Sequence, residues 1–215
     1  ASHGVVTVRI ALSRLDELAR VSGVRSVREV LRPRVGDGSW DGRGAQRASA
    51  ATSGNGSVTA AACAPVVSEG DAQLRADLAR SELGVDGSDV KVGIISDSFD
   101  VDPESPTHAA GDVASGDLPG PGNPCGRLTP VSVFAESDFG GVDEGRAMAQ
   151  IVHDLAPGAS LMFAAVPFGV FEFADHIRNL DLAGADVIVD DITFLDEPFF
   201  QDGPVSVAID DVTAR

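Results

Sequence analysis

Four acidic side chains sit where proton transfer could be run: Asp97, Glu144, Asp190 and Asp191. Asp97 follows the apolar run Val90-Lys91-Val92-Gly93-Ile94-Ile95-Ser96, and Asp190-Asp191 follow Val187-Ile188-Val189. Glu144 opens a segment whose apolar residues Ala147, Met148, Ile151, Val152 and Leu155 recur at helical spacing. In that first turn the positive end of the helix dipole favours a carboxylate. Two carboxyls held near each other titrate as a pair, and a pair of that kind suits general acid and base work in mildly acidic conditions.

Each of these residues also has a plain structural role open to it. An Asp followed by Ser is often a turn former or helix cap, and a Glu in a first helical turn often does no more than pair with the dipole. Asp143 reads as the N-cap of the same helix. His153 has no ligand-type residue three or four positions on, so it reads as a packed or surface helix residue. Asp190-Asp191 alone lack the further spaced oxygen ligands of a cation site, and no metal or cofactor is assigned.

The elements that must position these acids come from the periodicity. Residues 71–83 read as a helix stopped by Gly84, residues 90–95 as a buried strand, and residues 101–130, dense in Pro and Gly, as a long surface loop. Strands follow at 131–135, 161–166 and 185–189, with a helix opened by Glu144 and stopped by Pro157-Gly158, another at 171–182 and a third starting near Pro204. Strands alternating with helices predict an α/β fold: three layers around one mostly parallel sheet. Ligands then sit at the carboxyl ends of the strands, where Asp97, Asp190 and Asp191 fall.

Ahead of this body, residues 5–10 and 24–31 read as strands on either side of a short helix at 13–21, a small βαβ-like unit over residues 1–35. It is too small to be stable alone and should pack on something else. Residues 36–70, rich in Gly, Ser and Ala, read as a flexible linker, and residues 71–215 as the main domain.

The 215 residues carry a net charge of −17, unevenly spread. Residues 1–50 hold nine Arg against five acidic residues, about +4, which leaves about −21 for the rest. The two parts should attract, and nucleic acid, whose phosphates the acidic body repels, is excluded as a partner. No apolar run approaches the roughly 18 residues of a membrane span. The chain begins on Ala1 with no visible secretory signal, so it reads as a fragment or processed form. Cys63 and Cys125 either pair or remain free thiols.

The run from Val90 to Ser98 resembles the strand bearing the catalytic Asp of the subtilisin-like serine proteases, an apolar strand leading into Asp-Ser-Gly. Glu144-Gly145 through Ala156-Pro157-Gly158-Ala159 is similar to that family's catalytic-His helix, His-Gly-Thr-His-Val-Ala-Gly leading to Ala-Pro-Gly-Ala. The resemblance implies a subtilisin-like fold, incomplete here, with Asp97 and Glu144 catalytic. It also implies that Asp191, Ile192 and Thr193 line the cleft for a peptide or protein substrate. Residues 1–35 resemble the end of a subtilase propeptide, an intramolecular inhibitor and folding aid. A secreted or cell-surface setting is implied as well.

Three departures qualify the match. Glu144 stands where most subtilases have His, the choice of the related sedolisins; yet Met148 stands where a sedolisin has the Asp four residues on. Aligned without a gap, the subtilase Asp falls on Ser96, so Asp97 serves only if the strand has ended or bulged there. The family's oxyanion residue and nucleophilic Ser are expected beyond Arg215. The expected activity is peptide-bond hydrolysis, with Glu144 as general base and Asp97 as the acid that orients it. The alternatives are a subtilase-like binding or surface domain without catalysis, and an unrelated α/β domain with a strand-end metal site. Asp97 and Glu144 should approach each other at the carboxyl edge, with His153 well down the helix.

Overall fold

A computed structural model describes residues 4–30, 34–35, 67–166 and 168–214. Four parallel strands form its centre: β2 (Lys91–Ser96), β3 (Ser132–Ala135), β4 (Ser160–Ala165) and β5 (Val187–Asp190), in the order β3-β4-β2-β5. A further strand, β6 (Ile192–Thr193), follows β5 directly. β2 lies between β4 and β5, in register from Lys91↔Ser160 to Ser96↔Ala165 on one side and from Val92↔Val187 to Ile95↔Asp190 on the other.

Side-chain alternation along the strands builds the two outer layers. Val92 and Ile94, with Leu161, Phe163 and Ala165, face one side, where they meet Ala149, Met148 and Val152 of helix α5 (Glu144–Leu155). Ile95, Met162 and Val166 face the other and pack on Phe173, Ile177 and Leu180 of α6 (Val170–Leu182) and Ala208 of α7 (Pro204–Thr213). The fold is therefore α/β, with helices on both faces of an all-parallel sheet, as the alternation requires. At Gly93 a Cβ would come within 3.0 Å of Leu180, so glycine lets α6 lie close on the sheet.

Several expectations need correcting. The helix read over 71–83 is two, α2 (Glu69–Gln73) and α3 (Ala76–Leu83), broken where Arg75 takes a left-handed φ of 59°. The break folds Arg80 back on Asp71, with N–O distances of 2.7 and 2.8 Å. The loop read over 101–130 contains α4 (Ala109–Ser115). Residues 5–10 and 24–30 form no strand; between them lie only a turn of 3-10 helix (Leu12–Arg14) and α1 (Leu15–Ala19). Their valines are exposed, so they share no apolar face on which a small sheet could close. Strand β1 (Arg34–Val35) pairs instead with β6, antiparallel, Arg34↔Thr193 and Val35↔Ile192.

Leu31 and the stretch 36–66 of the expected linker lie outside the described residues, Cys63 with them. Cys125 is disulfide-bonded. Among the described residues no helix is long and apolar enough to cross a membrane.

Candidate active site at the carboxyl edge of the sheet

β2 ends at Ser96, so Asp97 is released from the pleat and turns toward the start of α5. Its Oδ2 accepts the backbone N–H of Val142 at 2.6 Å and its Oδ1 that of Glu144 at 3.0 Å. Asp97 thus caps α5 from across the sheet edge, satisfying backbone donors that a helix leaves open at its N-terminus. Burial raises the Asp97 pKa, while the Val142, Glu144 and Ser98 donors pull against it. Asp143, read from sequence as the cap, makes no capping bond and adopts a left-handed φ of 56°. Its carboxylate turns inward, where Oδ1 accepts from Val101 N–H at 2.8 Å, Asp102 N–H at 3.1 Å and Ser98 Oγ at 3.2 Å.

Asp97 and Glu144 therefore meet through the Glu144 backbone. The Glu144 carboxyl is turned toward Asp191, which lies between β5 and β6 at the same edge. Burial and the nearby Asp97 charge push the Asp191 pKa up, whereas Ser96 and the Glu144 carboxyl act to lower it. Neither makes a full hydrogen bond to it. Both Asp191 oxygens and Ser96 Oγ are buried without one. A proton between Glu144 and Asp191 would supply the missing bond, which is how two carboxyls share one site. Asp190 is also raised by burial, and its Oδ1 takes the Ile192 N–H at 3.2 Å.

Beside the acids, Ile192 is buried and Thr193 exposed, and their backbones carry the bridge to Arg34–Val35. Asp97, Glu144, Asp191, Ile192 and Thr193 are thus gathered at one edge. His153 is not: it sits nine residues along α5, 4% exposed, with Nδ1 lacking a partner and its pKa lowered by burial.

Arg146 is the residue that sequence reasoning passed over. It is 3% exposed. Nε donates to the Phe99 carbonyl at 2.8 Å, Nη1 to Asp112 and to Thr107 Oγ1 at 3.1 Å. Nη2 donates to Ser105 Oγ at 2.7 Å, the Thr107 carbonyl at 2.9 Å and Asp143 at 3.0 Å. The guanidinium fastens the loop after β2 to the first turn of α5, the turn that presents Glu144. A signal was available, since Arg146, three residues after Asp143, is the one Arg or Lys of the helix Glu144–Leu155.

Asp100, His108 and Asp143 bring one ligand-type atom each within 4.8 Å of one another. Asp143 already spends its oxygens on backbone donors and Arg146, and Arg146 Nε lies 3.8 Å from Asp100. The positive charge this cluster needs is already supplied by the protein.

The sequence matches no protein-family model and no curated protein.

Proposed function

We propose that this chain is the base-bearing front part of a serine-type endopeptidase of subtilisin-like build, with Glu144 as general base. One observation carries the reading: a half-buried carboxyl pair, Glu144 with Asp191, adjoins a strand edge, Ile192–Thr193, that already receives extended polypeptide. A substrate in the place of Arg34–Val35 would run antiparallel along β6, with its backbone fixed by ladder hydrogen bonds beside the acids. The motif resemblances at Asp97, at Glu144-Gly145 and at the Ala-Pro-Gly-Ala run support the same class.

In this reading Glu144 takes the proton of a serine hydroxyl as it attacks the scissile carbonyl and returns it to the leaving amine. Asp191, its pKa raised by burial and the Asp97 charge against the pull of Ser96 and Glu144, shares one proton with Glu144 and so holds that carboxyl in place. The orienting role expected of Asp97 passes to Asp191, and Asp97 fixes the helix that carries the base. Ser96 and Ser98 are both fully buried and cannot reach a substrate, and in this reading the nucleophile is a serine of a further segment of polypeptide. The N-terminal segment then acts as an intramolecular propeptide, with β1 in the cleft.

The test is peptide hydrolysis by the polypeptide that joins this chain to its nucleophile. Glu144→Gln should lower kcat by about 10²–10⁴ without changing the melting temperature, as for a lost general base. Asp191→Asn should move the acid limb of the pH profile. Full activity in Glu144→Gln, or hydrolysis by residues 1–215 alone, would overturn the assignment.

A further inference from the structure

The carboxyl edge is more than acidic. Of the seven basic residues after position 50, those in the described part sit away from it or are buried in it. Arg80 lies against the last turn of α5, bonded to the Leu155 carbonyl, and Arg75 is on the preceding turn. Lys91 starts β2, Arg127 pairs with Asp86, and Arg178 pairs with Asp211 on α7. Arg146 is enclosed by its own carboxylates.

The cations that reach this edge come from the N-terminal segment, and they come onto aromatic rings. The Arg9 guanidinium lies 4.2 Å from the ring centroid of Phe139, in the loop that leads into α5. Arg28 lies 5.2 Å from the ring of Phe171, in the first turn of α6. Both distances are within the roughly 6 Å over which a cation is held by a ring face. Phe139 is braced edge-on by Phe168, with centroids 4.8 Å apart, so its face is presented in a fixed direction. The third contact of the same segment is the β1–β6 bridge.

We infer that the cleft selects an arginine-bearing, extended polypeptide, with a guanidinium on Phe171 and backbone paired to Ile192–Thr193, while Phe139 takes an arginine from a second stretch of the chain. This names the substrate class of the proposed peptidase site and rests on that reading for its location. Planarity is the selective property: a guanidinium stacks flat on a ring and stays charged, whereas an ammonium is a compact, strongly hydrated point charge. The acidic surround adds attraction for any cation, and the rings add the preference for arginine.

Binding, not turnover, provides the test. The probe is a synthetic peptide of residues 24–35, compared with the same peptide carrying Lys at its four Arg positions. The titrated protein is the full 215-residue chain bearing Arg9→Gln and Arg28→Gln, which weakens its own occupancy of the rings. Ring resonances of Phe171 and amide exchange at Ile192 and Thr193 report occupancy. A guanidinium contact worth about 0.5–1 kcal/mol at Phe171, lost when the compact ammonium replaces it, predicts roughly 2- to 5-fold tighter binding of the Arg peptide. Phe171→Leu should remove that difference while the Lys peptide binds as before.

Equal binding of the two peptides would reduce the surface to a charge sink and overturn the inference, as would failure of both to protect Ile192 and Thr193. Arg-selective binding with no hydrolysis by the joined polypeptide would sink the peptidase reading and leave this one standing. Hydrolysis without arginine preference would do the reverse.

Discussion

Replacing Arg146 with Met tests the scaffold of the site separately from its chemistry. The guanidinium is enclosed at 3% exposure, and its two carboxylate partners, Asp112 and Asp143, are 2% and 3% exposed. Methionine has comparable length but no charge, so both carboxylates would remain buried without their cation. Removing one partner of such a pair costs about 3–5 kcal/mol. That is a large share of the roughly 5–15 kcal/mol that holds a domain folded. The loss should also depend on pH. Burial pushes the Asp143 pKa up, but Val101 N–H, the Arg146 guanidinium and Asp102 N–H outweigh it and hold the value below normal. A depressed carboxylate adds stability that is present above its unfolded pKa, about 3.9, and is lost as pH falls through the folded value. With Arg146 gone that increment shrinks, so wild type and variant should converge as pH falls toward and below about 3.9. Urea unfolding followed by circular dichroism at neutral and acid pH measures both effects. Arg146→Lys, which keeps the charge and loses the fork, should fall between the two. A neutral-pH loss under about 1 kcal/mol, or a gap indifferent to pH, would refute the idea that this buried network sets the start of α5.

Asp191→Asn should act in the opposite sense. A raised carboxyl pKa is a stability cost that is absent below the unfolded pKa and grows as pH rises through the folded value, so the variant should melt higher than wild type at neutral pH and equal it in acid. Asp97→Ala removes the acceptor of two backbone N–H groups and should cost about 1–2 kcal/mol in thermal melts, the range of a lost helix cap. Gly145→Ala sets a Cβ against the Phe163 ring and 2.8 Å from the Ser98 carbonyl oxygen, which should cost about 1–3 kcal/mol in denaturant unfolding.

The N-terminal segment and the body show why some expectations transferred to the structure and others did not. Strands β2, β4 and β5 and helices α5 and α6 fall within a few residues of their sequence assignments. Their buried faces repeat at period two or 3.6, so the signal is local. Residues 5–10 and 24–30 carry the same alternation, yet their valines stay exposed and unpaired, because a strand needs partners that the pattern does not name. The break at Arg75 is equally silent in sequence. It follows from the pull of Asp71 on Arg80, a contact between two helices rather than a preference within one.

By itself the sequence determined that strands and helices alternate, that the acids Asp97, Asp190 and Asp191 close strands, and that Glu144 opens a helix. Each of these is fixed by neighbours within a turn or a pleat. Only the tertiary structure decided which acid serves which purpose. The strand order β3-β4-β2-β5 sets β5 beside β2 and brings Asp191, rather than Asp97, to the Glu144 carboxyl. The cap of α5 comes from Asp97, 47 residues before the N–H it accepts, and not from the adjacent Asp143. A carboxylate binds whatever donor or proton lies within about 3 Å, and only the packed sheet determines which groups those are.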